Sequence, residues 1–556
     1  MQNYRIQEVI YNVKKKIICI LALMLILSMV FTACTDNEVA DSGNTPTKEP
    51  SKTGSEATEP PAAAEPDKIR VFYVTAGAEI PEDYDFADNP ILNELAKLAN
   101  VEITEAVVPP WSDVVTKYNL MMSGGNICDV VHYNDPTSMV NDGKNGAYVE
   151  LTDMINQSPV LTERYSTYME QLKADDGNIY AVRSLPVDGD VNDAFFTRYD
   201  VLQDLGYTEI PSTLDEWIDA MRKLKEKYPD AIPYTSMDNL HYCEFVFNAY
   251  GITGRGNGWQ MYFGDIIHNF ENPMYKEAIE TYKLMLEEGL MDPEFVTSKR
   301  QDFDDKRYNK KVLVNQQNAA VCMVFAGRFM DNGIAEARPV VCQWPIVDDP
   351  RVDSNAVYEG SLPLGNHGVA IASTSKEKEA SLRFIEALLS EEAEILTTWG
   401  IEGEDYTVEN GQKVPDPDKK TVKMVYNMLF GYNSRASIEG LFENNLGKIK
   451  SVDGASDEEL DAYRKLCWNQ FDKVYADAQS VPMRPIKFIT LEPDTASRAI
   501  EAQNEALTIA IRAMRGDISM EDFEVQASAF LEKYKFITDE YNEKLPAARV
   551  KAGLTD

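Results

Sequence analysis

Ile69-Arg-Val-Phe-Tyr-Val74, Val101-Glu-Ile-Thr-Glu-Ala-Val-Val108 and Asp129-Val-Val-His-Tyr133 are the stretches that decide the fold. Each is a short apolar or alternating run and reads as a strand. Helical patterns separate them. Asn89-Pro90 opens the first, because proline suits the first helical position, and Leu92, Leu95, Ala96 and Leu98 form its apolar face. Ser112 to Met122 reads as the second, with Val114, Val115, Tyr118, Met121 and Met122 as its buried side and Ser123-Gly124-Gly125 as its stop. Strand, helix, strand, helix, strand predicts a doubly wound α/β lobe.

Working outward, Thr213-x-x-Glu216 and Thr374-x-x-Glu377 have the capping-box pattern, and Ser519-x-x-Asp522 is a variant of it. Asn272-Pro273 places a cap before a first-turn proline. Phe523, Ala527, Phe530, Tyr534, Ile537 and Tyr541 mark one face of a long C-terminal helix. No internal repeat is present, which excludes solenoids and propellers.

The chain has 556 residues, 44% hydrophobic and 26% charged, so it is neither a disordered nor a collagenous protein. Ninety-one acids against 54 basic residues leave a formal charge of −37, which repels phosphate backbones and excludes nucleic acid as the expected partner. Four histidines leave little for histidine-based metal sites or catalysis. Seven cysteines without a Cys-x-x-Cys pair form neither a zinc site nor a disulfide framework, and Cys322 and Cys342 sit in apolar runs that predict buried free thiols.

Lys14-Lys15-Lys16 followed by the apolar run Ile17 to Val30 has the layout of a secretory signal. Fourteen helical residues span about 21 Å, short of a membrane core of about 30 Å. The run ends in Phe31-Thr32-Ala33-Cys34, which resembles a bacterial lipobox with Phe31 where leucine is usual. The expectation is cleavage before Cys34 and a lipid on its thiol; an ordinary signal peptide with an incidental cysteine is the other reading. Removing residues 1–33, with four basic and one acidic side chain, takes the charge from −37 to −40. Residues 35–66, rich in Thr, Ser, Pro, Glu, Asp and Ala, read as a solvated tether.

No phosphate-binding Gly-x-x-x-x-Gly-Lys, Gly-x-Gly-x-x-Gly, Gly-x-Ser-x-Gly or His-Glu-x-x-His motif is found, and no calcium loop; Asp175-Asp176-Gly177-Asn178 is a turn cluster. With so many acids, a glycosidase-type carboxylate pair is neither indicated nor excluded.

Several segments together resemble the extracellular solute-binding proteins of ABC importers, in particular the large LplA-like lipoprotein subgroup that serves carbohydrate uptake. Leu120-Met-Met-Ser-Gly-Gly-Asn-Ile-Cys-Asp-Val130 resembles the family's helix, Ser-Gly, Pro-Asp-Val passage, with Cys128 in place of proline. Asp176-Gly-Asn-Ile-Tyr-Ala-Val182, Phe195-Phe-Thr-Arg-Tyr-Asp200 and Pro211-Ser-Thr-Leu-Asp-Glu-Trp217 are similar to its next motifs. Tyr282-Lys-Leu-Met-Leu-Glu-Glu-Gly-Leu-Met-Asp-Pro-Glu-Phe295 and Trp399-Gly-Ile-Glu-Gly-Glu-Asp-Tyr-Thr-Val-Glu-Asn-Gly411 are the most specific matches. Most of these motifs also have structural readings: a packed Trp217 after a helix cap, a helix stop at Gly289, a turn at Gly400 to Gly403.

The resemblance implies a two-lobe periplasmic-binding-protein-like α/β fold with a hinge and an interlobe ligand cleft. It places the signal at 1–33 and the lipidated tether at 34–66. One lobe takes 67–180 plus 338–400, the other 181–337 plus 401–556, with crossings near Ile179–Arg183 and Val340–Pro345. It implies a monomer on the extracellular face of the membrane, anchored through Cys34, that binds an oligosaccharide and delivers it to permease subunits without chemistry, cofactor or metal. A peptide or other organic solute is the alternative ligand, and a surface carbohydrate-active enzyme the alternative class.

Sugars present apolar C–H faces and a rim of hydroxyls, so aromatic platforms and directional polar groups are sought. Trp111 follows Pro109-Pro110 at a strand-to-helix loop, Trp259 follows the Gly-rich run Gly251–Gly258, and Trp344 lies beside the second crossing. Asn134 and Asp135 end the third strand, and Arg328 follows the apolar run Ala319–Phe325 as a partner for a carboxylated sugar. The charge of −40 disfavours acidic sugars at long range, and local cations override it within a Debye length of about 8 Å.

Overall fold

Alternation along the first strand builds the first layer. The computed structural model describes residues 65–75, 84–110, 113–166, 168–174, 176–185, 194–237, 240–357, 364–365, 367–409, 411–416, 435–481 and 484–554. The expected signal, Cys34, the tether and Trp111 lie outside them. In β1 (Asp67–Phe72) and its continuation, Ile69, Val71 and Tyr73 enter one apolar core while Phe72 and Val74 enter another on the opposite face. A sheet covered on both faces is the mark of a largely parallel α/β layer. β1 pairs in parallel with β2 (Val101–Val107) and with β3 (Val130–Tyr133). β10 (Gly368–Ile371) runs antiparallel between β3 and β4 (Val182–Arg183), giving the order β2-β1-β3-β10-β4.

The second sheet has three strands in the order β8-β5-β9, all antiparallel. Its centre, β5 (Ala194–Arg198), again divides its side chains. Phe195 meets Trp217 and Phe245, whereas Phe196 meets Phe325 and Phe329. β8 spans Val314–Gln317 and β9 spans Pro339–Cys342. One core of this lobe gathers helices Leu214–Lys227, Tyr275–Glu287, Pro493–Met514 and Met520–Lys551; the other gathers Ala319–Asp331, Arg435–Asp453 and Asp457–Ser480. Two hairpins, β6 (Trp259–Tyr262) with β7 (Asp265–His268) and β11 (Tyr406–Glu409) with β12 (Gln412–Pro415), complete the strands.

These pairings correct the expected lobe boundaries. β4 belongs to the first sheet, so the first passage lies in 184–193 rather than at Ile179–Arg183. β9 pairs with β5, so Pro339–Cys342 belongs to the second sheet, and Trp344 and Val357 lie in the second lobe's core. The return passage therefore runs later than Val340–Pro345, ending before β10.

Local sequence signals mostly hold. Asn89 accepts from Leu92 N at 3.0 Å with Pro90 in the first turn, and Thr213 and Glu216 form a reciprocal capping box. Ser519 accepts from Asp522 N at 3.0 Å. The box at Thr374 does not form: the helix begins at Lys378, and Ser375 Oγ accepts from Glu377 N instead. Asn272 Oδ1 accepts from Met274 N in a turn ahead of the helix that starts at Tyr275. Val115 is 58% exposed rather than buried, because in the helix Val114–Gly124 it lies about 100° round from Val114, which faces the core. Cys128, Cys243, Cys322, Cys342 and Cys467 are all buried and free, and burial pushes the Cys243 thiol up to about 12. Among the described residues no helix is long and apolar enough to cross a membrane.

Trp217 is fully buried between the Phe195 and Phe245 rings. Replacing it, Trp217→Ala, is expected to cost about 3–5 kcal/mol, measured by denaturant unfolding at neutral pH. A loss below about 1 kcal/mol would show that this cluster does not hold the second lobe together.

Candidate functional site

Strand direction decides where ligand-accessible groups collect. β1, β3 and β4 run parallel and end at Phe72, Tyr133 and Arg183, and β10 begins beside the last two. Asn134, Ser184 and His367 therefore share one edge, the C-terminal edge at which open α/β sheets hold ligands. The chain leaves for the second sheet from this edge and returns to it. In the second sheet, Ala194 pairs with Gln317 and Phe195 with Cys342. The entry to β5 and the exits from β8 and β9 thus share one edge, which the two passages join to the first.

On the first edge, His132 and His367 form a buried pair. Their rings stack at 5.0 Å and His132 Nε2 lies 2.9 Å from His367 Nδ1. The backbone N–H of Val74 donates to His132 Nδ1 at 3.3 Å. With Nδ1 accepting, the neutral ring carries its proton on Nε2 and donates to His367. Burial, and then the neighbouring His367, hold His132 well below the usual imidazole range, and burial brings His367 down to about 4. Beside them Arg183 donates to the carbonyls of Gly365 (2.9 Å) and Leu364 (3.2 Å), and burial lowers its pKa. Asn134 Oδ1 is sealed from solvent with no hydrogen-bond partner.

On the second edge, Tyr234 bridges in parallel to Val314, so the following residues run alongside β8 to the same end. There Met237 and His241 pair through their backbones, and Leu240 and Tyr242 adopt φ of +67° and +63°. Left-handed backbone at two non-glycine residues is strained and tends to mark functional loops. A two-way bond holds the turn: Glu244 N donates to Gln316 Oε1, and Gln316 Nε2 donates to Glu244 Oε2 at 2.6 Å. Tyr242 stacks on Phe303 at 5.5 Å, and the guanidinium of Arg307 lies 4.4 Å from that ring. Arg255 donates through Nη2 to His241 Nδ1.

Of the expected contacts, only Asn134 both lies within the described residues and presents an unpartnered group at these edges. Asp135 caps the helix Pro136–Lys144, its Oδ1 accepting from the backbones of Thr137 and Ser138. Trp259 is packed in the second lobe, its Nε1 donating to Thr538 Oγ1 at 2.9 Å and its ring against His268 and Tyr541. Trp344 stands at the second edge but packs on Phe195 at 5.2 Å and is 5% exposed. Arg328 sits about 15 Å along a helix that starts at the edge, its guanidinium over Phe325. Its neighbour Phe329 meets Arg198, at the far end of β5. Core packing, a cap and helix length account for the placement of these four side chains. Sequence reasoning missed Arg183, His241, Tyr242, Arg255 and the His132–His367 pair. Only the scarcity of histidine hinted that the pair was unusual.

Among the described residues no cluster of histidine, cysteine and carboxylate side chains could hold a metal. Away from these edges, a groove of about 560 Å³ is lined by Asp265, Glu271, Asn542 and Arg549 and lies against the C-terminal helix.

A sequence profile described as bacterial extracellular solute-binding protein matches residues 77–395. Lipoprotein LipO of Bacillus subtilis is 24% identical over 368 residues, covering 63% of this chain and 70% of its own length. FusA of Streptococcus pneumoniae, named as a fructooligosaccharide ABC transporter substrate-binding protein, is 25% identical over 377 residues, covering 61% of this chain and 64% of its own length. The crystal structure of alginate-binding protein AlgQ2 superposes with a TM-score of 0.64 at 17% identity, covering 87% of this chain and 98% of AlgQ2.

The histidine pair makes a pH prediction. Both groups titrate lower in the folded state than the unfolded value of about 6.5, so the unfolded chain binds more protons below that pH. Their contribution is complete above about 6.5 and is lost as pH falls through about 4. Denaturant unfolding at pH 7, 5.5 and 4.5 is expected to show a steeper loss in the native protein than in His367→Gln. Equal slopes would show that the pair does not titrate on unfolding.

Proposed function

The chain belongs to the bacterial extracellular solute-binding proteins, and from that premise we propose that it captures an oligosaccharide between its lobes for delivery to an ABC permease. The observation that carries this reading is the pair of sheet edges joined by two chain passages, each presenting polar side chains and, on the second, the Tyr242–Phe303 stack. A stacked tyrosine suits the apolar face of a sugar, and amide, guanidinium and hydroxyl groups suit its rim. FusA is named for fructooligosaccharide and AlgQ2 for alginate, which supports a saccharide here. Ligand that touches both edges only when they approach shifts the population towards the closed form, which the permease reads. No bond in the ligand changes.

In this reading Cys34 carries the lipid anchor and residues 35–66 hold the body off the membrane. Kinship to a named lipoprotein supports that arrangement. Trp111, after the Pro109-Pro110 that follows β2, and Asn134 are the proposed first-lobe contacts.

The test is a thermal-shift screen of the purified protein against oligosaccharides and short peptides, with recovery of the ligand. A saccharide at 100 times its Kd is expected to add about 2.7 kcal/mol of stability and to be recovered intact. Response to peptides alone would overturn the saccharide assignment, and a cleaved saccharide would make the protein an enzyme.

A further inference from the structure

The β6–β7 hairpin turns at a residue that its geometry does not favour. Tyr262 pairs with Asp265, so Phe263 and Gly264 form a two-residue loop, with φ of +45° and +102°. A loop with two positive φ values takes asparagine, aspartate or glycine at its first position. A bulky ring there holds strained backbone. Burial does not explain it, because Phe263 is 60% exposed. Its surroundings nevertheless fix it. Phe263 N donates to Asp353 Oδ2 at 2.7 Å, and the Tyr262 hydroxyl donates to Arg351 O at 3.0 Å. The Tyr262 ring meets the Phe263 ring edge-on at 4.7 Å. Arg549, from the C-terminal helix, donates to Gly264 O at 2.6 Å. Strained backbone that is braced but not buried tends to mark a residue kept for what it presents.

This turn borders the groove of about 560 Å³ between β7 and the helix Met520–Lys551, and Asp265 and Arg549 belong to both. That volume is within the range of small-molecule sites. Asp265 and Glu271 bring exposed carboxylates to the groove. One Glu271 oxygen accepts from His268 N at 2.8 Å, which fixes the side chain's direction. Pro546 lies inside the helix and has no N–H for the Asn542 carbonyl four residues back, and both residues line the groove. The lining is therefore rich in hydrogen-bond acceptors, beside aliphatic surface from Leu545 and Pro546. Hydroxyl groups are donors that suit carboxylates and carbonyls, and a flat exposed ring suits the apolar C–H face of a sugar.

We propose that this groove is a second saccharide site, away from the joined sheet edges, that takes a neutral oligosaccharide. One sugar ring rests on Phe263, and its hydroxyls donate to Asp265 and Glu271. The site goes beyond the solute-binding reading and does not rest on it. The two carboxylates repel an acidic sugar and the headgroups of an anionic lipid surface, which makes a neutral polyhydroxyl ligand the better match. An open groove of this kind binds weakly. Its effect is to raise the local concentration of glycan around the protein.

The experiment is hydrogen exchange on the whole protein titrated with neutral fructo-, manno- and galacto-oligosaccharides, and with oligogalacturonides as the acidic match, up to about 10 mM, ten times a Kd of about 1 mM. A neutral member is expected to slow amide exchange across the hairpin tip and the last three turns of the C-terminal helix, and the acidic match to bind there about threefold or more weakly. Phe263→Gly removes the ring and suits the backbone. It is expected to weaken this binding about three- to tenfold while the melting temperature stays unchanged or rises. Phe263→Tyr is expected to stay within about twofold of the native protein, and Asp265→Asn to narrow the gap between neutral and acidic sugars. A lower melting temperature in Phe263→Gly would assign the ring to packing and overturn the proposal. Exchange slowed only at the sheet edges would also overturn it and leave the solute-binding reading standing. Slowing at the hairpin by phosphatidylglycerol vesicles or peptides, and by no saccharide, would make it a docking surface of another kind. No response to any saccharide at either place would overturn both readings.

Discussion

A guanidinium holding two backbone carbonyls ties together the two passages between the sheets. Arg183 ends β4, the last strand before the chain departs, and its donors meet Leu364 and Gly365, just before the chain re-enters as β10. The guanidinium satisfies both carbonyls where the chain is not yet in a strand. The bond is reinforced by the backbone: Ser184 N donates to His367 O at 2.9 Å, and Gly365 N donates to Ser184 O at 2.6 Å. The fit is tight at 365, where a Cβ would lie 2.1 Å from Ser184 Oγ and 3.3 Å from Ser184 Cβ, so the serine would have to turn aside. Because departure and return are fastened side by side, any motion between the lobes must pivot next to this fastening.

The histidine pair extends the same fastening into the first sheet. Val74 follows β1, His132 belongs to β3 and His367 leads into β10, so one chain of hydrogen bonds links three strands at the edge. Each accepting nitrogen is occupied, so an added proton must displace a donor. Separately, burial rather than a charged neighbour lowers the titration of His367.

Much of the fold was legible because it is local. Strand periodicity, the Asn89 and Thr213 caps and the heptad-like face of the C-terminal helix depend on residues a few positions apart, and they appear where the pattern predicts. The failures were also local in origin. At Thr374 a second cap candidate, Ser375, lay one residue on and took the backbone donor. Trp259 and Trp344 looked like platforms because large aromatics suit both cores and sugars. The choice was made by partners distant in sequence: Thr538 and Tyr541 for one, Phe195 for the other.

The sequence by itself determined the strand–helix alternation, the caps, the free buried thiols, the excess of acid and the motifs that point to the family. Each of these depends on residue type or short spacing. Only the tertiary structure decided where the passages lie, since β4 and β9 are assigned by their pairing partners and not by their own composition. It alone decided which aromatic ring stands at an edge and which in a core. Hydrogen bonding and burial are properties of what surrounds a group, and the surroundings of Arg183, Tyr242 and Arg255 come from segments up to 182 residues away.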